Sequence, residues 1–145
     1  MFDSDKLKAI GRLMARTARA RAVEEDVTAD EVIEIAPLLK KWAPGVYNVG
    51  EVVVYEGYPY KVYSAHDSTA STDWTPTGAA SLFIPYHATN ADLALPWAAP
   101  TGAHDVYKKG EFMIWTDGRV AECLENTNFS PTDYAQAWKF LGEEE

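Results

Sequence analysis

The chain has 145 residues, of which 47% are hydrophobic and 12% aromatic, and this composition excludes a wholly disordered protein. Its formal net charge is −9, but residues 1–22 are basic and the remaining residues are strongly acidic. An acidic body repels phosphate, so we expect no nucleic-acid partner. No apolar run approaches the roughly 20 residues that a membrane-spanning helix needs, so we expect no membrane partner.

Residues 4–24 have the spacing of an amphipathic helix. An apolar stripe runs along one face and is flanked by basic residues; its members are Leu7, Ile10, Met14 and Thr17, with Leu13 widening it. A single helix of this length needs a partner to be stable. Three partners stay open: the rest of this chain, another protein, or further copies of the same helix. We expect residues 4–24 to form a homo-oligomer, a trimer or a dimer, because the 3-4-3 spacing suits a coiled coil.

A second, shorter helix follows. Thr28 and Glu31 have the spacing of a capping box at its start. Pro37 lies near its end, so the helix either kinks or stops there. We place the boundary of the amino-terminal segment at residue 41, which gives a helical region at 1–41.

A pattern of aromatic, glycine and glutamate residues occurs twice in the rest of the chain. The first copy has Tyr47, Gly50, Glu51, Tyr55 and His66, and the second has Tyr107, Gly110, Glu111, Trp115 and Asn126. A constant offset across such a pattern indicates two copies of one small unit. We therefore predict modules at 42–88 and 97–145, joined by a linker at 89–96. In this alignment Leu82 corresponds to Trp138, and Cys123 matches Tyr63, which predicts a buried, structural thiol.

Each module is predicted to be a small, three-stranded antiparallel sheet. A β-branched run at 50–55, the turn Glu56-Gly57 and a strand at 60–65 form a hairpin in the first module. Asp117-Gly118 connects strands at 111–115 and 119–124 in the second. With the helical segment, this gives an α+β fold class. Modules near 45 residues bury little on their own, so we expect the helices or the other module to cover part of each sheet. The core residues predicted for the first module are Trp42, Tyr47, Val52, Val54 and Tyr60.

The loop after His66 carries a tryptophan in a polar setting. Trp74 precedes Pro76 among serine, threonine and aspartate residues, although tryptophan normally buries its large apolar area. Either the loop folds back over Trp74 or its indole faces outward for a ligand. Tyr58, at the hairpin turn, could extend such a surface. In the second module Phe129 and Tyr134 occupy the corresponding loop.

The residues that carry catalysis in enzymes do not form a recognisable site in this sequence. The three histidines lack metal-ligand spacing, and Cys123 is the only cysteine. Glu51 and Glu111 stand at equivalent strand starts, where we expect them to accept backbone hydrogen bonds or to face water. A retaining glycosidase needs two carboxyl groups about 5 Å apart in a cleft, and a module of this size offers little cleft. We therefore expect no enzyme activity, no metal and no cofactor.

At these positions the chain resembles carbohydrate-binding module families 5 and 12, the small chitin- and cellulose-binding domains of secreted chitinases. The first copy follows their pattern through Trp42, Tyr47, Gly50-Glu51, Gly57-Tyr58-Pro59-Tyr60, His66-Asp67-Ser68, Trp74-Thr75-Pro76 and Leu82-Phe83. The second keeps Trp97, Tyr107, Gly110-Glu111, Pro131 and Trp138, but has Asn126 for the histidine. The resemblance implies sugar binding by Trp74 and Tyr58, and by Phe129 and Tyr134 in the second module.

The arrangement of a basic helix before two such modules resembles small proteins encoded beside tail-fibre and lysis genes in phages of Gram-positive bacteria. That resemblance implies a virion accessory protein that binds bacterial surface polysaccharide and contacts other virion or tail proteins. The amino terminus lacks the hydrophobic region of a signal peptide, so we expect synthesis in the host cytoplasm, release by lysis and action at the bacterial surface. A structural virion protein that uses the modules as spacers is the main alternative. An accessory module of a polysaccharide hydrolase is disfavoured, because no catalytic domain accompanies it.

Overall fold

A computed structural model describes residues 3–71 and 73–142, and it begins with two helices. Helix α1 spans Ser4–Ala22 and is capped by Asp3, whose carboxylate accepts a hydrogen bond from the Lys6 amide at 2.8 Å. Helix α2 spans Ala29–Ile35 and is capped by Thr28, which accepts from the Glu31 amide at 3.2 Å. A 3-10 turn at Ala36–Leu38 follows, so of the two outcomes expected at Pro37, a kink or a stop, the α-helix stops, just before the proline.

The first module contains five short strands. They are β1 (Val46–Tyr47), β2 (Val52–Tyr55), β3 (Tyr58–Val62), β4 (His66–Asp67) and β5 (Phe83–Pro85). Strands β2, β3 and β5 form an antiparallel sheet in that order, and β1 pairs with β4. The β2–β3 turn has positive φ at both Glu56 and Gly57, which suits the twist of a two-residue hairpin. The predicted strand at 60–65 is therefore corrected to Tyr58–Val62, because the tight turn lets pairing begin earlier.

The second module forms a four-stranded sheet. Its strands are β6 (Leu95–Pro96), β7 (Phe112–Ile114), β8 (Val120–Cys123) and β9 (Trp138–Phe140), in that order. Strands β7, β8 and β9 are antiparallel, whereas β6 runs parallel to β7. The predicted α+β class, a helical segment followed by small antiparallel sheets, is confirmed, and the second sheet has one strand more than expected.

The two sheets share a set of hydrogen bonds and ring contacts. The Gly50 amide donates to the carbonyl of Val62 at 3.0 Å, and the Gly110 amide donates to that of Cys123 at 2.9 Å. Each module also has a tryptophan edge-on to an aromatic ring of its sheet, with centroid separations of 5.6 Å for Trp42–Tyr55 and 5.7 Å for Trp97–Trp115. These contacts place equivalent residues at equivalent points of the two sheets.

The same contacts correct three of the pairings expected from the sequence. Cys123 corresponds to Val62 and not to Tyr63, since both bond back to the glycine of their module. Thr127, not Asn126, corresponds to His66, because Tyr107 pairs with Thr127 as Tyr47 pairs with His66. Trp138 corresponds to Phe83, not to Leu82, since these residues pair with Cys123 and Val62 respectively. The cause of the first two shifts is one extra residue in the second hairpin turn, which spans 116–118 where the first spans 56–57.

The first sheet is covered on both faces. Val53 is buried with Tyr47, Val62 and Phe83 inside the module, while Val52 and Val54 point the other way. Those two valines pack on a cluster built by Ala18, Ala22, Val32 and Leu39 of the helical segment. The expectation that the helices cover the module is confirmed, but the core assignment needs correction. Because side chains alternate along a strand, Val53 occupies the module interior and its neighbours face the helices.

Helix α1 is only partly covered by the rest of the chain. Ala18 and Ala22 are buried, whereas Leu7, Leu13 and Met14 are each more than half exposed. The carboxyl-terminal turns of the helix therefore pack on the chain itself, and the amino-terminal apolar stripe faces solvent. Among the described residues, no helix is both long and apolar enough to cross a membrane.

Candidate functional site

Trp74 is placed by the ring of His66. The Nδ1 atom of His66 is 2.7 Å from the carbonyl oxygen of Ser64, and the imidazole packs between Tyr47 and Phe83 at centroid separations of 5.6 and 5.2 Å. The indole of Trp74 contacts that imidazole edge-on at 6.3 Å, and its side chain remains 37% exposed. The loop thus folds back against Trp74 and still leaves part of the indole facing outward.

The start of this loop is pinned by Ser68. Its hydroxyl accepts a hydrogen bond from the Gly45 amide at 2.8 Å and donates one to the Gly45 carbonyl at 2.9 Å. Asp67 caps the following turn by accepting from the Thr69 amide and hydroxyl, and these hydrogen bonds lower the pKa of its carboxyl. The loop that carries Trp74 therefore leaves the sheet from a fixed point.

The second module has a groove at the corresponding loop. The groove has a volume of 490 Å³ and combines aromatic, amide and carboxylate groups; it is lined by Asn126, Thr127, Asn128, Phe129, Asp133 and Tyr134. The structure therefore brings together Phe129 and Tyr134, the two site residues predicted for this module. Phe129 is 55% exposed and Tyr134 is 37% exposed, so both rings are available to a ligand.

The walls of this groove are held by hydrogen bonds from the module interior. The indole Nε1 of the buried Trp138 donates to the Phe129 carbonyl at 3.0 Å, and the Phe129 amide donates to the Thr127 hydroxyl at 3.0 Å. A hydrogen bond to the Glu125 carboxylate raises the pKa of Tyr134, which keeps its phenol protonated. Phe129 is thus fixed through its backbone while its ring projects outward.

Three polar residues of the groove were missed as site residues in the sequence. The sequence predicts Asn126 only as the counterpart of the histidine and predicts no role for Asn128 or Asp133. The signal was present in the run Asn126-Thr127-Asn128-Phe129, where amides flank an aromatic residue in a loop. Polar groups that flank an exposed ring are typical of sites that fix the orientation of a ligand.

Tyr58 lines neither the groove of the second module nor a surface shared with the Trp74 ring. It lines a cavity of 240 Å³ between the two modules, and Trp74 does not line that cavity. Tyr58 is 38% exposed. Its role in ligand binding remains a prediction, and its position indicates a surface separate from that of Trp74.

The carboxylates at the two strand starts bind the backbone. Glu51 accepts a hydrogen bond from the Asn48 amide at 2.5 Å, and Glu111 accepts from the Lys108 amide at 2.7 Å. The predicted backbone role of both residues is confirmed. Across residues 3–71 and 73–142, no group of three or more histidine, cysteine, aspartate or glutamate side chains could hold a metal ion.

Comparison with known families gives one match. A search of curated proteins finds no significant relative. The family model described as Carbohydrate-binding module family 5/12 matches residues 41–84, a range that contains the first sheet, His66 and the Trp74 loop. This match and the exposed aromatic residue on an anchored loop support a carbohydrate-binding module at residues 41–84.

Proposed function

We propose that this chain is a non-catalytic accessory protein of a phage tail or virion, and that it binds bacterial surface polysaccharide through both of its modules. The family match at residues 41–84 is the observation that carries the sugar-binding part. We propose sugar binding for the second module as well, because it has the same backbone hydrogen bonds as the first and a groove at the equivalent loop. The binding residues proposed are Trp74 and Tyr58 in the first module, and Phe129 and Tyr134 in the second.

The chemistry of these residues suits a sugar ring. A pyranose presents C–H groups on its faces and hydroxyl groups around its edge, so it pairs with a flat aromatic surface bordered by polar groups. Phe129 offers such a surface, and the amides of Asn126 and Asn128 with the Asp133 carboxylate border it. Trp74 offers a second surface on a loop fixed by Ser68. A fixed ring loses little conformational entropy on binding.

A single aromatic surface of this kind binds a sugar weakly. The exposed helix could compensate by holding several modules together. The uncovered stripe of α1 contains Leu7, Leu13 and Met14. We propose that this stripe joins copies of the chain into a dimer or a trimer, or docks on other tail proteins. Several modules held together bind one polysaccharide with an increased effective concentration and hence with greater avidity. The virion location rests on the resemblance of the whole architecture to small phage proteins, and mass spectrometry of purified particles tests it.

Co-sedimentation with bacterial cell walls tests the binding function. The wild-type chain should sediment with the walls, and a Trp74→Ala/Phe129→Ala variant should remain in the supernatant. Thermal unfolding of the same samples shows whether the variant is folded at the assay temperature. A folded variant that sediments as well as the wild type would favour the alternative, in which the modules are structural spacers. A wild-type chain that stays in the supernatant at high concentration would also refute sugar binding.

A further inference from the structure

The cavity between the two modules is lined by five tyrosine and tryptophan side chains together with prolines and other residues. Tyr58, Tyr60 and Tyr86 come from the first module, and Trp97 and Tyr107 come from the second. Sites for small molecules are mostly apolar, concave and few in a protein, and they occur preferentially where two units meet. This cavity has those properties; Thr77 of the Trp74 loop lines it, but Trp74, Phe129 and Tyr134 do not.

A stack of three rings holds the cavity in shape. His87 stacks on Tyr107 at 3.7 Å between centroids, and Tyr107 stacks on Trp97 at 5.1 Å. His87 is buried, and its Nδ1 atom lies 3.0 Å from the Glu111 carboxylate of the second module. The amide of Phe112 also donates to the carbonyl of Ala88 at 2.8 Å. The modules are therefore joined beside the cavity, which is preformed before any ligand arrives.

Two tyrosine hydroxyls at this cavity have unused hydrogen-bonding capacity. Tyr60 and Tyr86 are half-buried, and within the described part of the chain neither hydroxyl has a hydrogen-bond partner. Burial raises the pKa of Tyr86 to about 12. Burial, and then the nearby Glu56 carboxylate, raises the pKa of Tyr60 as well. Both phenols stay protonated at neutral pH, so each can donate one hydrogen bond and accept another.

The charges at the cavity select against an anionic ligand. Among the described residues that line it, none is lysine or arginine, and Glu56 contributes a negative charge. A phosphate or carboxylate would therefore meet repulsion without a lysine or arginine to compensate it. A neutral ligand with several hydroxyl groups meets aromatic walls, two free phenols and a carboxylate acceptor. Its size is limited, because the 240 Å³ volume is below the roughly 300–1,000 Å³ of pockets for drug-sized molecules.

From these features we infer that the cavity between the modules binds one neutral pyranose ring of a glycan, with Tyr60 and Tyr86 donating hydrogen bonds to its hydroxyl groups. The inference rests on the proposed function and extends it, since it adds a third binding surface and defines its ligand as uncharged. The loop surfaces stack on rings along a polysaccharide, whereas this cavity holds a single ring.

Soluble tetrasaccharides of N-acetylglucosamine and of glucose are the probes that test this inference. Their affinities are measured by calorimetric titration for the wild type and a Tyr60→Phe/Tyr86→Phe variant, which loses two hydroxyls and retains both rings. Loss of two hydrogen bonds should weaken binding of at least one probe by about tenfold. Tyr63→Phe is the matched control, because Tyr63 lies on His104 outside the cavity and should keep wild-type affinity within about twofold.

Amide chemical shifts of the wild type provide a second measurement that needs no variant. Shifts induced by the probe at Tyr60, His87 and Ala98 would support the cavity. Shifts confined to residues 73–75 and 126–134, with unchanged affinity of the double variant, would overturn the inference and leave the proposed function intact. A wild-type chain that binds neither the probes nor cell walls would overturn both.

Discussion

Replacement of Phe129 by alanine separates sugar binding from stability in the second module. A buried aromatic side chain covers about 200 Å², and the 55% exposure of Phe129 leaves about 110 Å² facing the groove. If a sugar ring covers half of that area, about 55 Å² of apolar surface leaves water, which at about 25 cal/mol per Å² contributes about 1.4 kcal/mol. Phe129→Ala should therefore weaken binding by about tenfold per site, measured by titration with a soluble tetrasaccharide of N-acetylglucosamine.

Phe129→Ala also removes the part of the ring that packs on the protein, which lowers the stability of the fold. The experiment therefore needs a control variant with a similar loss of stability. About 90 Å² of Phe129 is in contact with the protein, which corresponds to about 2 kcal/mol of unfolding free energy. Tyr63→Ala is the control, because Tyr63 is 49% exposed and lies in the other module. Both variants should lose similar stability in thermal unfolding, and only Phe129→Ala should lose affinity. Equal losses of affinity in the two folded variants would show that the groove is not the binding surface.

Three further predictions concern the helical segment and the core. Leu7→Asp/Leu13→Asp should reduce the mass measured by light scattering from that of an oligomer to that of a monomer, since both side chains are exposed on the uncovered stripe of α1; a wild-type monomer would refute this. Hydrogen bonds from Arg21 lower the pKa of Glu31, so their stabilising effect is present above the usual glutamate pKa and is lost as the pH falls through the lowered value. In the Arg21→Gln variant the free energy of unfolding should therefore fall less than in the wild type as the pH is lowered. An unchanged dependence of this free energy on pH would contradict the pairing. Burial raises the pKa of Cys123 to about 11, so a thiol reagent at pH 8 should react only as fast as the chain unfolds, and rapid labelling of folded protein would refute this.

The residues that indicate a repeated unit in the sequence are those whose local constraints do not depend on the rest of the fold. Gly50 and Gly110 adopt φ values of +93° and +91°, which side chains rarely tolerate. Glu51 and Glu111 then close the same turn by accepting a backbone hydrogen bond. A glycine and a carboxylate at fixed spacing therefore indicate one geometry wherever they occur.

Register beyond the hairpin turn was not predictable in the same way. The second turn has one residue more than the first, and Gly118 absorbs it with a φ of +88°. Asp117-Gly118 indicates a tight turn in either length, so the sequence does not distinguish the two. A shift of one residue moved the expected counterpart of His66 from Thr127 to Asn126, although Thr127 is the residue that pairs with Tyr107.

The cavity between the modules could not be predicted from the sequence, because it depends on contacts between distant parts of the chain. His87 reads in the sequence as an isolated histidine before a linker, yet in the structure it stacks on Tyr107 and reaches Glu111. Side chains such as Tyr86 have no periodic pattern that assigns them to a shared surface. Packing between modules, unlike turns and strands, leaves little local signal.

The arrangement of covered and uncovered surfaces favours the aromatic loops as the binding positions that we propose. The first sheet has its inner face filled by Tyr47 and Val53 and its outer face covered by the helices, so neither face is free for a ligand. Trp74 in the first module and Phe129 in the second remain exposed on loops outside these covered faces. Binding to the flat surface of a crystalline glycan would require coplanar aromatic rings along a sheet face. Aromatic rings on loops outside the sheet faces suit separate sites along a flexible glycan chain. We therefore expect the protein to retain soluble or swollen glycans at least as well as crystalline ones, and co-sedimentation with both forms measures that preference.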